Sequence, residues 1–207
     1  MISQSVTALT RGDYEASACE STLAEMNEHS SLAVSTRRTK DLDDAERAAV
    51  VRLCIEAHGE PDFENLFSYV SPEGLHVLAH LGEELAGHAV VTTRWLQPNG
   101  LPLLRTAYVD AVATSPRLQG RGIGSAVMQQ LASAVTAYDI ACLDTERPGF
   151  YERLGWELWR GPLAGRSEEG LIPTPDATGV MILRLPRTPD VALDSLMTIE
   201  ATPLRIW

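Results

Sequence analysis

The sequence predicts an α+β fold in which one mixed sheet is flanked by helices. Its 207 residues are the length of one ordinary domain, and 44% apolar with 22% charged residues is typical of a globular protein. Strand-like and helix-like segments follow one another in the order strand, helix, three strands, helix, strand, helix and further strands. That order is the one expected of a mixed α+β sheet.

Local patterns predict each element in turn. Aspartates in a first turn and spaced apolar residues predict a helix over 41–58, and apolar steps of four predict another over 123–138. A short helix, Phe150–Leu154, ends at Gly155. The Gly-, Pro- and Asp-rich segment Gly161–Thr178 is predicted to be a loop. The predicted strands are Leu32–Arg37, Leu75–Ala79, Leu85–Thr93, Leu103–Ala113, Ile140–Leu143, Trp156–Trp159 and Val180–Leu185.

Residues 1–30 form a predicted N-terminal extension, and the domain itself is predicted to span residues 31–207. The extension carries five acidic residues against Arg11 alone. We expect a peripheral arm there, and a homodimer contact is one role that it could have.

Charge and cysteines limit the expected partners and compartment. A net charge of −11 argues against nucleic acid and suits a polycationic substrate, although many proteins are acidic for solubility alone. Cys19, Cys54 and Cys142 are scattered, which indicates reduced thiols and a cytoplasmic protein. No apolar run reaches the ~20 residues of a membrane span, and no signal-peptide pattern is found at the N-terminus.

The histidines and cysteines predict no metal site. His76, His80 and His88 lie on predicted strands, and no Cys and His set has zinc-ligand spacing, so core or surface positions are expected. Cys142 lies on a buried strand without a neighbouring base, which argues against a nucleophile.

The glycine segment, Val112–Gly124 (VATSPRLQGRGIG), connects a predicted buried strand to a predicted helix. A strand that turns through glycines into a helix N-terminus presents free N–H groups and the positive end of the helix dipole. Such a site suits a phosphate or pyrophosphate. No lysine follows the glycines, which excludes a P-loop, and the spacing fails the dinucleotide fingerprint. The alternative is a turn without a ligand, but a plain turn does not need three glycines in five residues.

This segment resembles motif A of the GCN5-related N-acetyltransferases, Gln/Arg-x-x-Gly-x-Gly/Ala, placed between an apolar strand and an amphipathic helix. The resemblance extends from about residue 31 to the end of the chain. It implies a single, mostly antiparallel domain of that family, with acetyl-coenzyme A as co-substrate. Backbone groups at the strand end would pair with the pantetheine arm, and loop amides would hold the diphosphate. The implied residues are Val112, Ala113 and Thr114 for the pantetheine arm, and Gln119, Gly120, Arg121, Gly122, Ile123 and Gly124 for the diphosphate.

Acetyl transfer to an amine requires that the amine lose a proton and that the leaving thiolate gain one. Asp110 lies in an otherwise apolar strand, where an ionised carboxylate is costly unless it faces a cleft or a cation. The resemblance implies that Asp110 activates the amine through water; the alternative is an edge strand with Asp110 in solvent. Tyr151, within the family-like segment Phe150–Trp156, is implied to be the acid; the alternative is a tyrosine that caps the core.

Several segments resemble the aminoglycoside 2′-N-acetyltransferases in particular: residues 61–63 (PDF), 74–76 (GLH), 108–110 (YVD), 174–176 (TPD) and the terminal Trp. The resemblance implies an amino-sugar antibiotic as substrate, and hence a role in antibiotic resistance. Carboxylates would hold the sugar, each charge-assisted hydrogen bond contributing ~1.5–3 kcal/mol; acids in solvated loops are the alternative. The implied contacts are Asp62, Asp110 with its neighbour Ala111, Asp144, Asp176, Glu200 and the carboxylate of Trp207.

Two departures from the subfamily pattern change the expected substrate. Ala177-Thr178 replaces an acidic run, and Arg205 replaces the acid two residues before the terminal Trp. These changes predict a substrate with a carboxylate as well as an amine, such as kasugamycin, with Arg205 as the partner of the carboxylate. The alternatives are another primary amine, such as a polyamine or a protein N-terminus, and a non-catalytic sensor of acetyl-coenzyme A.

Overall fold

The computed structural model describes residues 31–202 and 206–207. The predicted extension of residues 1–30 with its homodimer contact, and Arg205, lie outside the described residues. Within the described ranges, ten strands form a single sheet and four α-helices accompany it. The predicted mixed, mostly antiparallel α+β fold is therefore confirmed. In the same ranges, no helix has both the length and the apolar character that a bilayer span requires.

The helices and strands have the following bounds. The helices are α1 (Asp44–His58), α2 (Leu66–Tyr69), α3 (Ile123–Ala134) and α4 (Pro148–Glu152). The strands are β1 (Leu32–Arg38), β2 (Leu75–Leu81), β3 (Glu84–Pro98), β4 (Leu104–Thr114), β5 (Ile140–Asp144), β6 (Glu157–Leu158), β7 (Leu163–Ser167), β8 (Gly170–Pro173), β9 (Val180–Arg184) and β10 (Met197–Glu200).

The long strand β3 is the centre of the sheet. Along one edge it pairs antiparallel with β4, and along the other it pairs first with β2 and then, through its last three residues, with β10. The sheet order is β6-β9-β5-β4-β3-β10-β7-β8, and β2 carries β1 beside the first half of β3. The β4–β5 and β10–β7 pairs are parallel, and the others are antiparallel.

Helices α1 and α3 cover apolar side chains of the central strands. Helix α1 begins with a capping box, in which Asp43 and Glu46 each accept the backbone N–H of the other. It ends at Gly59, whose φ of 73° is the left-handed conformation of a C-terminal cap. The buried residues of α1 join a cluster that includes Ala111 and Ala113 of β4. The core therefore supports β4 along the stretch that precedes the glycine segment.

In the C-terminal third, the structure corrects one prediction and adds one strand that was not predicted. The predicted loop Gly161–Thr178 is wrong, because it contains the hairpin of β7 and β8. Its composition is typical of a loop, but β7 buries Leu163 and Ala164 and pairs in parallel with β10. Strand β10 was not predicted, since four residues are too few for a periodic pattern and its position depends on β3 and β7.

Candidate active site

The candidate site lies where β4 and β5 separate. The two strands pair in parallel only from Thr106 to Tyr108, against Ile140–Cys142. Beyond that point β4 continues with β3 alone, and β5 continues with β9. Among the described residues, no strand pairs with the β5-facing edge of Val112–Thr114. This edge can therefore accept an extended ligand as an additional strand.

A β-bulge in β4 follows Asp110 directly. Val90 of β3 pairs with Asp110, but the next pair is His88 with Ala113, so β4 contains one extra residue. Ala111 takes a φ of 48°, a left-handed conformation that disfavours any residue with a β-carbon. The Asp110 carboxylate accepts the N–H of Ala111 at 2.9 Å. A bulge changes the direction of the side chains beside it, and the side chain beside this bulge is that of Asp110, the predicted base.

The three glycines where β4 leads into α3 are required for two different reasons. Gly120 and Gly122 have φ values of 78° and 81°, and Gly122 is the N-cap of α3. A Cβ at either position would meet nothing within 4 Å, so the backbone conformation demands glycine there and the space outside is open. At Gly124, by contrast, a Cβ would lie 3.1 Å from Thr114 Oγ1, so glycine permits close contact of α3 with β4.

The glycine segment also presents unpaired donors. Within the described part of the chain, the N–H groups of residues 122–125, in the first turn of α3, have no backbone acceptor; the N–H of Ala126 is bonded to Gly122 O at 2.9 Å. The hydroxyl of Ser115, at the start of the segment, is buried and lacks a described partner. Unpaired N–H groups at a helix N-terminus attract anions. The residues present therefore fit a diphosphate, which is the group that coenzyme A carries.

Asp110 is half-buried and faces a cavity of about 470 Å³. Asp110 lies two residues beyond the last β4–β5 pair, where β4 pairs with β3 alone, and its side chain lines this cavity. We name this space the Asp110 cavity. Its other walls come from α2 and the residues after it, from β3 and from β10, and they include Tyr69, Ser71, Thr92, Arg94, Glu200 and Thr202.

Two arginines hold the carboxylate of Glu200 in the wall of this cavity. Its oxygens lie 3.3 Å from Arg94 Nε and 3.9 Å from Arg166 Nη2, and they accept the N–H of Trp95 at 2.8 Å. The guanidinium of Arg94 lies over the ring of Tyr108, 4.8 Å from its centroid, and only 6% of Arg94 is exposed. Glu200 therefore joins β10 to β3, and one carboxylate is shared by two cations.

Tyr151 lies in α4, past the end of β5 at which β4 and β5 separate. Its ring is buried against Phe150 and Trp156, with centroid separations of 4.9 and 6.0 Å. Burial raises the pKa of the phenol to about 12, against the opposite effect of a hydrogen bond with Thr145. The phenol is thus protonated at neutral pH. Tyr151 does not line the Asp110 cavity.

The other predicted substrate contacts lie away from this cavity. Asp62 is exposed in a 3-10 turn before α2, Asp144 is exposed at the end of β5, and Asp176 is exposed between β8 and β9. The indole of Trp207 is buried and donates to Thr174 Oγ1 at 2.8 Å. Of the predicted contacts that the structure describes, Asp110 and Glu200 come together in the Asp110 cavity, and the rest are not in its lining: Asp62, Ala111, Asp144, Asp176 and Trp207.

Sequence reasoning did not identify Tyr69, Thr92 or Arg94 as cavity residues. The signal for Arg94 was weak, namely one arginine in a long strand whose other charged residue is Glu84 at its start, and its buried position depends on Glu200, 106 residues away. His76 and His88 are both fully buried, as the core alternative requires. Among the described residues, no group of three or more His, Cys, Asp or Glu side chains is arranged to share a metal ion.

Comparison with known proteins identifies the family. Residues 35–159 match the model of the acetyltransferase (GNAT) domain. The chain belongs to the GNAT family of N-acetyltransferases. It is 34% identical over 167 residues to the aminoglycoside 2′-N-acetyltransferase of Mycolicibacterium fortuitum, an alignment that covers 78% of this chain and 84% of that protein. The predicted resemblance is therefore confirmed at the level of the family.

Solved structures agree with this GNAT assignment at the level of the fold. YhbS from Escherichia coli, in complex with CoA, gives a TM-score of 0.56 at 15% identity over 81% of this chain and 90% of YhbS. Eis1 from Mycobacterium abscessus gives 0.53 at 20% identity over 64% of this chain and 33% of Eis1. The chain spans only 35% of the length of the GCN5-related N-acetyltransferase from Kribbella flavida, with a TM-score of 0.52 at 19% identity over 66% of this chain.

Proposed function

We propose that this chain transfers an acetyl group from acetyl-coenzyme A directly to the 2′-amine of an aminoglycoside that also bears a carboxylate. The observation that carries the proposal is the position of Asp110. Its half-buried carboxylate lies between the unpaired edge of β4 and a cavity of about 470 Å³. A base in that position can reach both an amine in the cavity and a thioester held along the edge.

The glycine segment is the proposed coenzyme site. Val112, Ala113 and Thr114 offer their backbone groups to the pantetheine arm, and the N–H groups of residues 119–124 donate to the diphosphate. When bound, acetyl-coenzyme A supplies the thioester carbonyl that the amine attacks. The open space outside Gly120 and Gly122 leaves the backbone accessible to the phosphate oxygens. Coenzyme supply favours the cytoplasm as the site of action.

Two side chains are proposed to move protons. Asp110 accepts a proton from the substrate ammonium, directly or through a water molecule, and so frees the lone pair of the nitrogen. Tyr151 gives a proton to the leaving thiolate. The raised pKa of its phenol, about 12, keeps that proton in place at neutral pH, so the phenol always presents an O–H donor to the leaving sulfur.

The substrate class is supported by one relative and by the charges of the cavity. The relative from Mycolicibacterium fortuitum is named for acetylation of aminoglycosides at the 2′-amine, which supports an amino sugar. The lining of the Asp110 cavity carries three carboxylates, those of Glu73, Asp110 and Glu200, against the single cation of Arg94, and such a lining attracts a cationic amine. Kasugamycin, with an amine and a carboxylate, is the specific substrate that we propose. The role of Arg205 towards that carboxylate stays a prediction.

A thiol-release assay with a panel of amines tests the proposal. The panel contains kasugamycin, a carboxylate-free aminoglycoside with a 2′-amine, spermidine and a peptide with a free N-terminus. Turnover with the two aminoglycosides and a lower KM for kasugamycin is the expected result. Turnover confined to spermidine or the peptide would assign another amine. Coenzyme A binding by calorimetry without any turnover would instead indicate a sensor.

A further inference from the structure

A chain of buried hydrogen bonds crosses the sheet from Thr39, just after β1, to the bulge of β4. Thr39 Oγ1 lies 3.0 Å from His76 Nε2 in β2, and His76 Nδ1 lies 2.9 Å from His88 Nε2 in β3. His88 Nδ1 in turn lies 2.9 Å from the carbonyl oxygen of Ala111. Thr39 is 3% exposed and both histidines are fully buried, so no water competes for these groups.

The chemistry of the last acceptor determines the direction of every bond. A carbonyl oxygen can only accept, so His88 Nδ1 carries the proton, and the Nε2 of a neutral ring must then accept. His76 Nδ1 therefore donates to His88, and His76 Nε2 accepts from the hydroxyl of Thr39. The Thr39 hydroxyl also lies 3.3 Å from the carbonyl oxygen of Gly74, but that oxygen already accepts the N–H of Thr39 at 2.9 Å, and the distance to His76 Nε2 is shorter.

The surroundings of the chain keep both rings neutral. Burial lowers the pKa of His76 to about 3, with smaller effects of His88 and Arg47 in the same direction. Burial also lowers the pKa of His88 to about 4, although Asp110 and the Ala111 carbonyl favour its charged form. The Cys54 thiol, 3.7 Å from His88 Nδ1, stays protonated because burial raises its pKa to about 12. Each ring thus has one donor and one acceptor, as the chain requires.

The far end of the chain is attached to the strained residue of the candidate site. Ala111 has a φ of 48° and needs a partner to hold that conformation. The bond from His88 fixes the direction of the Ala111 carbonyl. Because the peptide is trans, the N–H of Val112 must point the opposite way, away from the histidines. Asp110 lies directly before the Ala111–Val112 peptide, and the proposed pantetheine edge begins at that peptide.

We propose that Thr39, His76 and His88 are positioning residues for acetyl transfer, which orient the Ala111–Val112 peptide and so direct Asp110 and the edge of β4. The inference rests on the proposed function of that edge. It assigns a role to a buried polar chain, none of whose three side chains lines the Asp110 cavity. Hydrophobic side chains of similar size would fill the same space, but they would leave the carbonyl of Ala111 with only the weak thiol donor of Cys54, at 3.9 Å, to fix its direction.

Imidazole nitrogen NMR tests the chain itself without any assay of activity. Long-range ¹H–¹⁵N spectra distinguish a ring protonated on Nδ1 from one protonated on Nε2. We expect His76 and His88 to be neutral with the proton on Nδ1 between about pH 5 and 9, whereas an ordinary histidine titrates near ~6.5 in that range. A proton on Nε2 of either ring, or titration near the ordinary value, would overturn the chain.

Two replacements of one histidine test its effect on the site. In His88→Asn the amide nitrogen lies near the position of Nδ1 and can still donate to the Ala111 carbonyl, whereas in His88→Gln it lies near the position of Nε2 and cannot. We expect His88→Gln to lower kcat by about tenfold relative to His88→Asn, the effect of one lost hydrogen bond. The affinity for coenzyme A should also be about threefold lower in His88→Gln than in His88→Asn, because only part of the lost hydrogen-bond energy acts on coenzyme binding. His80→Gln, in the same strand β2 but outside the chain, is the control.

Thermal unfolding separates positioning from folding. A purely structural role would lower the melting temperature of both His88 variants while each folded enzyme kept the wild-type kcat and coenzyme affinity, and that result would overturn the proposal. The coenzyme measurement does not depend on turnover. If the wild type binds coenzyme A but acetylates no amine, the proposed function fails, and weaker binding by His88→Gln than by His88→Asn still supports positioning of the β4 edge.

Discussion

The glycine segment and the Asp110 cavity adjoin the same strand, β4, but they are built in different ways. The glycine segment consists of consecutive residues, and its N–H groups are presented by local backbone conformation at Gly120 and Gly122. The cavity combines α2, β3, β4 and β10, and the ion pair in its wall joins Arg94 and Glu200 across 106 residues of chain. The donors of the glycine segment are therefore set by local conformation, whereas the cavity depends on how distant segments pack.

The largest expected effect comes from Asp110, where the two regions meet. Asp110→Asn retains an oxygen that can accept the N–H of Ala111 but removes the base. We expect kcat to fall by about 100-fold or more, the usual contribution of general base catalysis. Coenzyme A binding by calorimetry should be unchanged. Asp176→Asn, an exposed acid outside the cavity, serves as the control; equal rates for the two variants would remove Asp110 from the mechanism.

Tyr151→Phe tests the proposed acid at the coenzyme side. We expect kcat to fall by about tenfold or more, since the thiolate must then take its proton from solvent. Because the pKa of the phenol is raised to about 12, its acid form is present at every pH below that value and is lost only above it. The pH–rate profile between about pH 6 and 9 should therefore keep its shape in the variant. A basic limb that disappears with the phenol would contradict this assignment.

A matched pair of glycine variants separates the stability lost through backbone strain from the loss of coenzyme A binding. Gly122 and Gly100 have φ values of 81° and 80°, and a Cβ added at either position would meet no atom within 4 Å. Valine at either position should lower the free energy of unfolding by about 1–2 kcal/mol, the cost of a left-handed residue with a β-carbon. Only Gly122→Val should also weaken coenzyme A binding, because Gly100 lies in the turn between β3 and β4. Equal loss of affinity in both would argue against a coenzyme site in the glycine segment.

The smallest expected effect on activity concerns the long-range ion pair of the cavity. Arg94→Met leaves Glu200 with Arg166 and the N–H of Trp95, so we expect unfolding to become easier by about 1–3 kcal/mol, the cost of an impaired buried polar contact. The KM for kasugamycin should rise more than that for a carboxylate-free aminoglycoside. Arg160→Met removes an exposed pair with Asp194 and should change neither quantity measurably. Similar KM values for kasugamycin in all three proteins would exclude an anion contact at Arg94.

The same contrast explains which elements could be predicted. The helix over 41–58 and the strand that ends near Ala113 have strong local signals, and both are present with small changes of boundary. Gly161–Thr178 has the composition of a loop, yet β7 forms within it because β10 offers a parallel edge. A four-residue strand such as β10 has no period of its own, so its place between β3 and β7 could not be inferred from residues 197–200.

The family fold and the glycine segment follow from the amino-acid sequence, because glycine conformation, helix capping and strand-to-helix order act between residues close in the chain. The tertiary structure alone decided which side chains share a cavity with Asp110, and that Arg94 and the histidine chain belong to its support. Those contacts join segments far apart in sequence, and they form only when β2, β3, β4 and β10 take their places in one sheet.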